Sequence, residues 1–359
     1  MDFKHIFRSK KITLSVVLSI FLSVLTFKTF AAQGENGPAE AKNAEKEAFN
    51  PTTAILEHIG DSHYWHVGGE LYIPLPVILF TDKGTECFMV DKLDHGKVAY
   101  QGKYYTYKLI EDKIKVVDAS GNLDKAASYH IYDFSITKNV LALWIASIVL
   151  LLIFFSVAKA YKKREGQAPK GFQSLIEPVI MFVRDEIARP NIGYRYQKYM
   201  PFLLTIFFFI WIVNLMGLIP IFPGGANVTG NILLTFVLSF IVMLVVNFSA
   251  NKYYWKHIFR PDVPLWLYPI MIPVEIIGVI SKPFALMIRL YANISAGHII
   301  VLSLIALIFI FKSLMIAPVS VAFVLFMDVL ELLVAFLQAF IFTMLTALFI
   351  GTAVEEHHH

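Results

Sequence analysis

Residues 264–351 form the longest apolar stretch of the chain and constrain its fold most strongly. At a rise of about 1.5 Å per residue, about 20 residues of helix cross the hydrocarbon core of a bilayer. The stretch therefore predicts two long helices, roughly 265–311 and 317–350, the first of which must tilt or kink at one of its prolines. Seven ionisable residues interrupt it: Glu275, Lys282, Arg289, His298, Lys312, Asp328 and Glu331.

The composition indicates a polytopic membrane protein. Hydrophobic residues make up 57% of the 359 residues and charged residues 16%, whereas about 25% charged residues is typical of soluble domains. Three further spans are expected at 137–158, 200–219 and 231–248. Basic clusters follow the first and third spans, so the loops after both are predicted to be cytoplasmic.

The N-terminus has the pattern of an export signal, here assigned to residues 1–31. A basic segment precedes a short apolar run, and small residues allow cleavage after Ala31. Removal of the signal would leave the mature N-terminus outside the cytoplasm. The alternative is a retained membrane anchor. Residues 32–50 are interpreted as a disordered leader because they are rich in Ala, Glu, Lys, Asn and Gly.

The region before the first span predicts a small β-rich domain. Residues 51–135 contain short alternating apolar runs separated by turn signals, and they are too polar to span a bilayer. Together with the leader they form a predicted extracytoplasmic extension, 32–135. The histidines of this region show no repeated ligand spacing, so no metal site is predicted. The polar tail, 352–359, is either native or a remnant of a tag.

Two polar stripes run along the predicted long helices. Glu275, Lys282 and Arg289 are spaced by seven residues, which drifts by only about 20° per step around a helix. Asn293 lies one turn past Arg289, whereas His298 lies close to the opposite face. On the last helix, Glu331 and Gln338 share a face and Asp328 is within about 60° of it.

These groups have two possible explanations. They could stabilise contacts between helices through hydrogen bonds and ion pairs. Seven ionisable groups in this apolar setting are more typical of an ion or proton pathway. His298 and Glu331 suit a proton relay because both can change charge in an accessible pH range. Arg289 keeps its proton, so it suits a fixed electrostatic barrier or a transient partner for a carboxylate.

Several strings resemble subunit a of the F-type ATP synthase over residues 136–351. They are Asn214-Leu-Met-Gly-Leu-Ile-Pro220, Ala226-Asn-Val-Thr-Gly230, Ser281-Lys-Pro…Arg289-Leu-Tyr-Ala-Asn293…Ala296-Gly297 and Leu337-Gln-Ala-Phe-Ile-Phe-Thr-Met-Leu-Thr346. The extension before residue 136 is similar to the N-terminal region of some Bacteroidetes-type members. The resemblance implies a mainly α-helical fold of three spanning helices plus a long tilted two-helix hairpin.

The resemblance also implies roles for the polar residues. Arg289 falls on the essential arginine that faces a carboxylate of the rotating c-ring, Asn293 on the amide one turn further, and Gln338 on the glutamine near that arginine. Glu275 and Lys282 fall on polar positions leading to the cytoplasmic side. His298 and Glu331 exchange the order of an acid and a histidine found in many bacterial members. Asp328 is a further candidate lining residue of the outer half-channel.

The partners implied by the resemblance are the c-ring, the peripheral-stalk b subunits and the rest of the synthase, in a bacterial inner membrane with the N-terminal domain in the periplasm. The chain has no Gly-x-x-x-x-Gly-Lys-Ser/Thr loop, so it is expected to be non-catalytic and to bind no nucleotide. Neither a cofactor nor nucleic acid is expected. The alternatives are a stand-alone ion transporter or channel, disfavoured because no internal repeat is found, and a structural assembly protein.

Overall fold

The computed structural model describes residues 60–68, 71–110, 112–118, 120–164, 167–219, 224–261, 263–311 and 317–355. The predicted signal peptide and leader lie outside the described residues, as do Lys312, the junction between the two long helices and the last four residues of the polar tail.

The β-rich prediction for the region before the first span is confirmed. The strands are β1 (Tyr64–Gly68), β2 (Leu71–Pro74), β3 (Pro76–Thr81), β4 (Gly84–Met89), β5 (Tyr100–Gln101), β6 (Thr106–Ile110), β7 (Lys113–Val117) and β8 (Tyr132–Asp133). They pair antiparallel as β1–β2, β4–β3–β8 and β5–β6–β7. Val77 and Leu79 of β3 are fully buried while Phe80 is exposed, the alternation expected of a half-buried strand. Residues 60–136 are called the β domain below.

The rest of the described chain is helical. The helices are α1 (Lys125–Tyr129, within the β domain), α2 (Lys138–Lys163), α3 (Phe172–Phe182), α4 (Arg189–Ile192), α5 (Tyr196–Leu218), α6 (Ile232–Ser249), α7 (Lys252–Phe259), α8 (Tyr268–Phe311) and α9 (Ala317–Val354). Among these residues five helical segments are long and apolar enough to cross a membrane. The prediction of a mainly helical fold is thereby confirmed, and the two long helices begin and end within a few residues of the expected bounds.

The loop between the first and second predicted spans contains helices. A π-helical turn, Val183–Ala188, joins α3 to α4, and Gly193 then adopts a φ of 69°. This left-handed conformation suits a glycine and ends α4. The following residues make a short 3₁₀ turn before α5 begins. The break separates α3 from the apolar helix α5, although both are rich in hydrophobic residues.

Helix α5 lies at the centre of the helical part. Its Leu203, Phe207 and Ile210 are completely buried, and the helix packs against α2 on one side and α9 on another. Helices α8 and α9 pack along each other, and α8 also contacts α6. Pro273 and Pro283 lie inside α8, which is assigned as one helix of 44 residues. Much of the α8–α9 surface is apolar and exposed.

The end of the bundle away from the β domain is closed by contacts to the last turns of α9. Asn251, just before α7, donates from its backbone N–H to the carbonyl of Ala353 at 2.8 Å and from Nδ2 to the carbonyl of Val354 at 2.7 Å. The last carbonyls of a helix have no partner within the helix, so Asn251 supplies the missing donors. Gly351 packs directly on the carbonyl of Asn191. This part of the molecule is called the far end.

The opposite end, where α2 begins, is joined to the β domain by hydrogen bonds. The N–H of Lys138 donates to the carbonyl of Ser62 at 2.8 Å, and the N–H of Asn139 donates to Oδ1 of Asp61 at 3.1 Å. The first N–H groups of a helix lack partners within it, and a carboxylate there is also favoured by the helix dipole. The chain segment that opens the β domain therefore holds the first turn of α2.

A buried ion pair lies beside this junction. Nε2 of His63 is 3.4 Å from Oδ2 of Asp133, and His63 is only 4% exposed. Burial lowers the pKa of His63, but the adjacent Asp133 carboxylate, followed by Asp61, raises it, and the net pKa is above the usual value. Burial raises the pKa of Asp133, but His63 and the donors of Ser135 bring it below its usual value. The two shifts show that the charged pair is favoured in the folded state.

The sign of the pH dependence follows from these shifts. Because the pKa of His63 is raised on folding, its contribution to stability is complete below the unfolded pKa of about 6.5 and is lost as the pH rises through the folded pKa. Asp133 adds stability above the unfolded pKa of about 3.9, which is lost as the pH falls through its lowered pKa.

We therefore expect His63→Gln to weaken the β domain more at pH 6 than at pH 9. The measurement is the rate of limited proteolysis of the β domain in detergent-solubilised protein over this pH range. His130→Gln is the matched control, since His130 is exposed in the same domain. A loss of protease resistance that is equal at both pH values would contradict the charged-pair interpretation.

Candidate functional site

Helix α8 places its polar side chains at three levels of the bundle. At about 1.5 Å per residue, Glu275 and Arg289 are separated by about 21 Å along the axis, and Arg289 and His298 by about 13 Å. Glu275 belongs to the far end and His298 to the end that bears the β domain. The predicted polar residues of α8 thus form three separate groups rather than one cluster.

The first group is a histidine–carboxylate pair between α8 and α9. Nδ1 of His298 lies 3.6 Å from Oε2 of Glu331, and the two side chains are 15% and 11% exposed. Asp328 lies one turn before Glu331 on α9 and is exposed. The sequence places His298 and Glu331 on different helices without fixing their register; the structure brings them into contact. Such a pair offers one imidazole and one carboxylate, both able to carry a proton.

Two glycines border this pair, and one of them, Gly297, makes room for it. A Cβ on Gly297 would lie 2.6 Å from Oε1 of Glu331, and a Cβ on Gly217 of α5 would lie 4.0 Å from Nε2 of His298. The sequence analysis assigned no role to either glycine. The available signal was a glycine inside an otherwise apolar helix, which often marks close packing.

The loop after α5 borders the same pair. The carbonyl of Ala226 lies 3.4 Å from the Cβ position of Gly217. The hydroxyl of Thr229 donates to Oδ1 of Asn214 at 2.8 Å, and both residues are buried. The loop is therefore packed into the bundle beside His298. Asn214 and Thr229 occur in the strings that carried the resemblance, but no role was predicted for them.

The second group is an amide pair in the middle of the bundle. Nδ2 of Asn293 donates to Oε1 of Gln338 at 2.9 Å, and Gln338 is 1% exposed. Asn293 lies one turn from Arg289, so Gln338 is bonded to a neighbour of the arginine; that Gln338 itself packs near Arg289 stays a prediction. This hydrogen bond fixes α8 against α9 at the level between Arg289 and His298.

Arg289 itself lies on the exposed face of α8. Ala285, Ala292 and Ala296, its neighbours on this face at helical spacing, are also exposed. Among the described residues, Arg289 makes no ion pair. A guanidinium in an apolar setting is costly unless it is paired or hydrated. The small side chains leave room for another helix to approach it closely.

The third group lines a cavity of about 280 Å³ at the far end. Glu275 and Lys282 of α8 meet Tyr254 and His257 of α7 and Glu355 after α9 around this cavity. Nζ of Lys282 lies 5.4 Å from the ring centre of Phe349. The sequence analysis predicted the first two residues as candidates but did not predict the groups from α7 and the chain end.

No group of three or more His, Cys, Asp or Glu side chains that could hold a metal ion is found in the part of the chain that the structure describes. His63 instead faces Asp133. The groups that the bundle does assemble are a titratable pair, an amide pair, an exposed guanidinium and a cavity with charged lining. This set suits the movement of protons or the binding of a carboxylate.

The amide pair generates a stability prediction. Asn293→Ala removes the donor and leaves the buried Oε1 of Gln338 without its partner, so the free energy of unfolding should fall by about 1–3 kcal/mol. Replacing both partners by apolar groups can be nearly neutral. Asn293→Ala/Gln338→Leu should therefore recover part of the loss. Thermal unfolding in detergent micelles measures both, and equal loss in the single and double variants would contradict the prediction.

Comparison with known proteins agrees with this geometry. The model of the family described as ATP synthase A chain matches residues 140–351, which contain the first two groups and all of the third except Glu355. A second family model, a domain of unknown function (DUF8433), matches residues 54–134.

Individual relatives match over more than three fifths of the chain. The ATP synthase subunit a of Chloroherpeton thalassium is 51% identical over 235 residues, which cover 64% of this chain and 69% of that protein. The ATP synthase subunit a 2 of Prosthecochloris aestuarii is 48% identical over 236 residues, covering 64% and 71%. The ATP synthase subunit a 2 of Chlorobaculum tepidum is 48% identical over 233 residues, covering 63% and 65%. The chain therefore belongs to the family of F-type ATP synthase subunit a, a membrane subunit of that complex.

Proposed function

We propose that this chain forms the two proton half-channels of the synthase and passes protons to and from a carboxylate of the c-ring, with Arg289 as the charge barrier between them. The single observation that carries this proposal is the position of Arg289. Its guanidinium lies on an exposed face of α8 among small alanine side chains, at the level between the histidine–carboxylate pair and the far-end cavity.

Arg289 requires an anionic partner that is not among the described residues of this chain. A guanidinium keeps its charge in any accessible environment, and at membrane depth it is stabilised by pairing with an anion. The alanines around it allow a second helix to come close. A c-ring helix that carries one carboxylate satisfies both the charge and the shape.

The His298–Glu331 pair suits proton entry from the outer side. It lies at the same end of the bundle as the β domain, which is on the outer side if the N-terminal signal acts as predicted. The pair is 3.6 Å apart, so a proton can move between the two groups with little rearrangement or through one water. Asp328, exposed one turn away, would line the same path.

The far-end cavity suits proton release to the cytoplasm. Glu275 and Lys282 line it together with His257 and Tyr254, and its volume of about 280 Å³ holds several waters. Predicted cytoplasmic basic residues lie near this end on α7. Protons leaving the c-ring carboxylate would reach the cytoplasm through this cavity.

Arg289 would couple the two paths to rotation. Its charge attracts a deprotonated carboxylate and repels a proton that would pass directly from one half-channel to the other. Each c-ring carboxylate would take a proton from the outer path, travel around with the ring and lose the proton at the far-end cavity. Rotation then carries the energy to the catalytic head, while the peripheral-stalk b subunits hold this chain still.

Arg289 variants test the barrier directly. Arg289→Ala and Arg289→Lys should both abolish coupled ATP synthesis, because lysine lacks the planar fork and can deprotonate when desolvated. Only the alanine variant should also leak protons after the catalytic head is removed. The measurement is acid-quenched dye fluorescence in inverted membrane vesicles with assembly matched by immunoblot. Near-normal coupled synthesis by the alanine variant would refute the proposal.

A glycine variant tests the relay pair. Gly297→Ala adds a Cβ 2.6 Å from Oε1 of Glu331, so the carboxylate must move away from its present position beside His298. ATP synthesis should fall about tenfold or more, since a misplacement of about 1 Å can cost up to about a hundredfold. Gly278→Ala on the same helix is the control, because its Cβ would meet nothing within 4 Å. Equal rates for the two variants would show that the pair's geometry is unimportant.

A further inference from the structure

Trp65 connects the β domain to the membrane bundle. Its side chain is 1% exposed and belongs to the same buried cluster as the membrane helices. The other large buried side chains of the β domain, such as Val77 and Tyr107, form a separate cluster. Trp65 is therefore a residue of the domain that is packed in the core of the bundle.

The indole of Trp65 makes a specific contact with the loop after α5. Nε1 donates to the carbonyl of Gly224 at 3.1 Å in a buried environment. A buried carbonyl needs a hydrogen-bond partner, and here the partner comes from 159 residues away in sequence. Gly224 itself leaves no room for a Cβ, which would collide with the carbonyl of Ile219 and lie 2.7 Å from that of Met216. The loop is held closely against the end of α5.

The same loop leads to the His298–Glu331 pair. Two residues after Gly224, the carbonyl of Ala226 and Nε2 of His298 flank Gly217. Further along, Thr229 is bonded to Asn214 of α5. Ala226, Asn227, Val228 and Thr229 are each at most 4% exposed. A shift of the loop at Gly224 would therefore disturb the packing beside His298.

The β domain is also fixed at a second point, so it can hold the loop in place. Ser62 and Asp61 accept the first N–H groups of α2, only a few residues before Trp65. Two attachments prevent the domain from rotating about either one alone. The domain thus connects α2 to the loop 224–230 and restrains both. This restraint is called the brace below.

We infer that Trp65 is a positioning residue for proton entry, through which the β domain holds the loop 224–230 and hence the surroundings of His298. This inference rests on the proposed function of the chain. Without the indole contact, the loop leaves its packed position part of the time. The His298–Glu331 pair is then able to accept protons for a smaller fraction of the time. Its apparent affinity for protons falls by that fraction.

The test compares Trp65→Phe with the parent in inverted vesicles. Phenylalanine keeps the aromatic bulk but has no N–H. ATP synthesis is driven by a fixed diffusion potential while the lumenal pH is varied, which gives the proton concentration for the half-maximal rate and the maximal rate separately. We expect the half-maximal concentration to rise about three- to tenfold, the factor expected for one lost hydrogen bond. Passive leak after removal of the catalytic head should stay at the parent level.

Two further variants complete the experiment. Gly224→Ala disturbs the same contact from the loop side and should shift the half-maximal concentration in the same direction by at least as much. Trp266→Phe is the matched control, since Trp266 is 75% exposed, and should behave as the parent. The half-maximal concentration does not depend on the amount of assembled complex, so reduced assembly does not obscure the reading.

Parent-like half-maximal concentrations for both Trp65→Phe and Gly224→Ala would overturn the inference. A fall in the maximal rate that only matches a fall in the amount of assembled complex would also overturn the inference. Trp65 would then contribute to folding alone. Arg289→Ala in the same vesicles distinguishes a failure of the inference about Trp65 from a failure of the proposed function. If that variant loses coupling while Trp65→Phe matches the parent, only the brace is refuted. If Arg289→Ala synthesises ATP normally, the proposed function itself fails.

Discussion

The exposed guanidinium of Arg289 is the constraint on which the arrangement of the bundle depends. A permanent charge at membrane depth is tolerated only with an anion or water nearby, and none of the described carboxylates pairs with it. The bundle keeps its own acids away from this level: Glu331 faces His298 and Glu275 lines the far-end cavity. An internal ion pair would neutralise Arg289 and remove the reason for a partner to bind there.

The amide pair beside Arg289 has a complementary property. Asn293 and Gln338 join α8 to α9 through a hydrogen bond between neutral groups, so they add polarity without adding a titratable site. A carboxylate or histidine at this level could carry a proton past the arginine. An amide does not change its protonation in the accessible pH range, and it therefore fixes the two helices without connecting the two proposed proton paths.

Much of this could be predicted from the sequence, because hydropathy and spacing are local properties. The helical spans and the polar stripe of Glu275, Lys282 and Arg289 follow from residue order alone. The contacts between helices do not. His298 meets Glu331 because of the relative register of α8 and α9, and that register depends on small residues such as Gly297 whose role only packing reveals. The link from Trp65 to Gly224 joins positions 159 residues apart with no pattern in common, so it could not be predicted from periodicity.

Pro283, one of the two prolines inside α8, has a consequence for hydration. Pro283 has no N–H, so the carbonyl of Val279, four residues earlier, loses the donor that an uninterrupted helix would supply. Val279 is one of the residues that line the far-end cavity beside Glu275 and Lys282. That carbonyl is therefore available as an acceptor for a water near the cavity. Because Pro283 leaves the carbonyl of Val279 without its helical donor, this end of an apolar helix can bind water without any further charge.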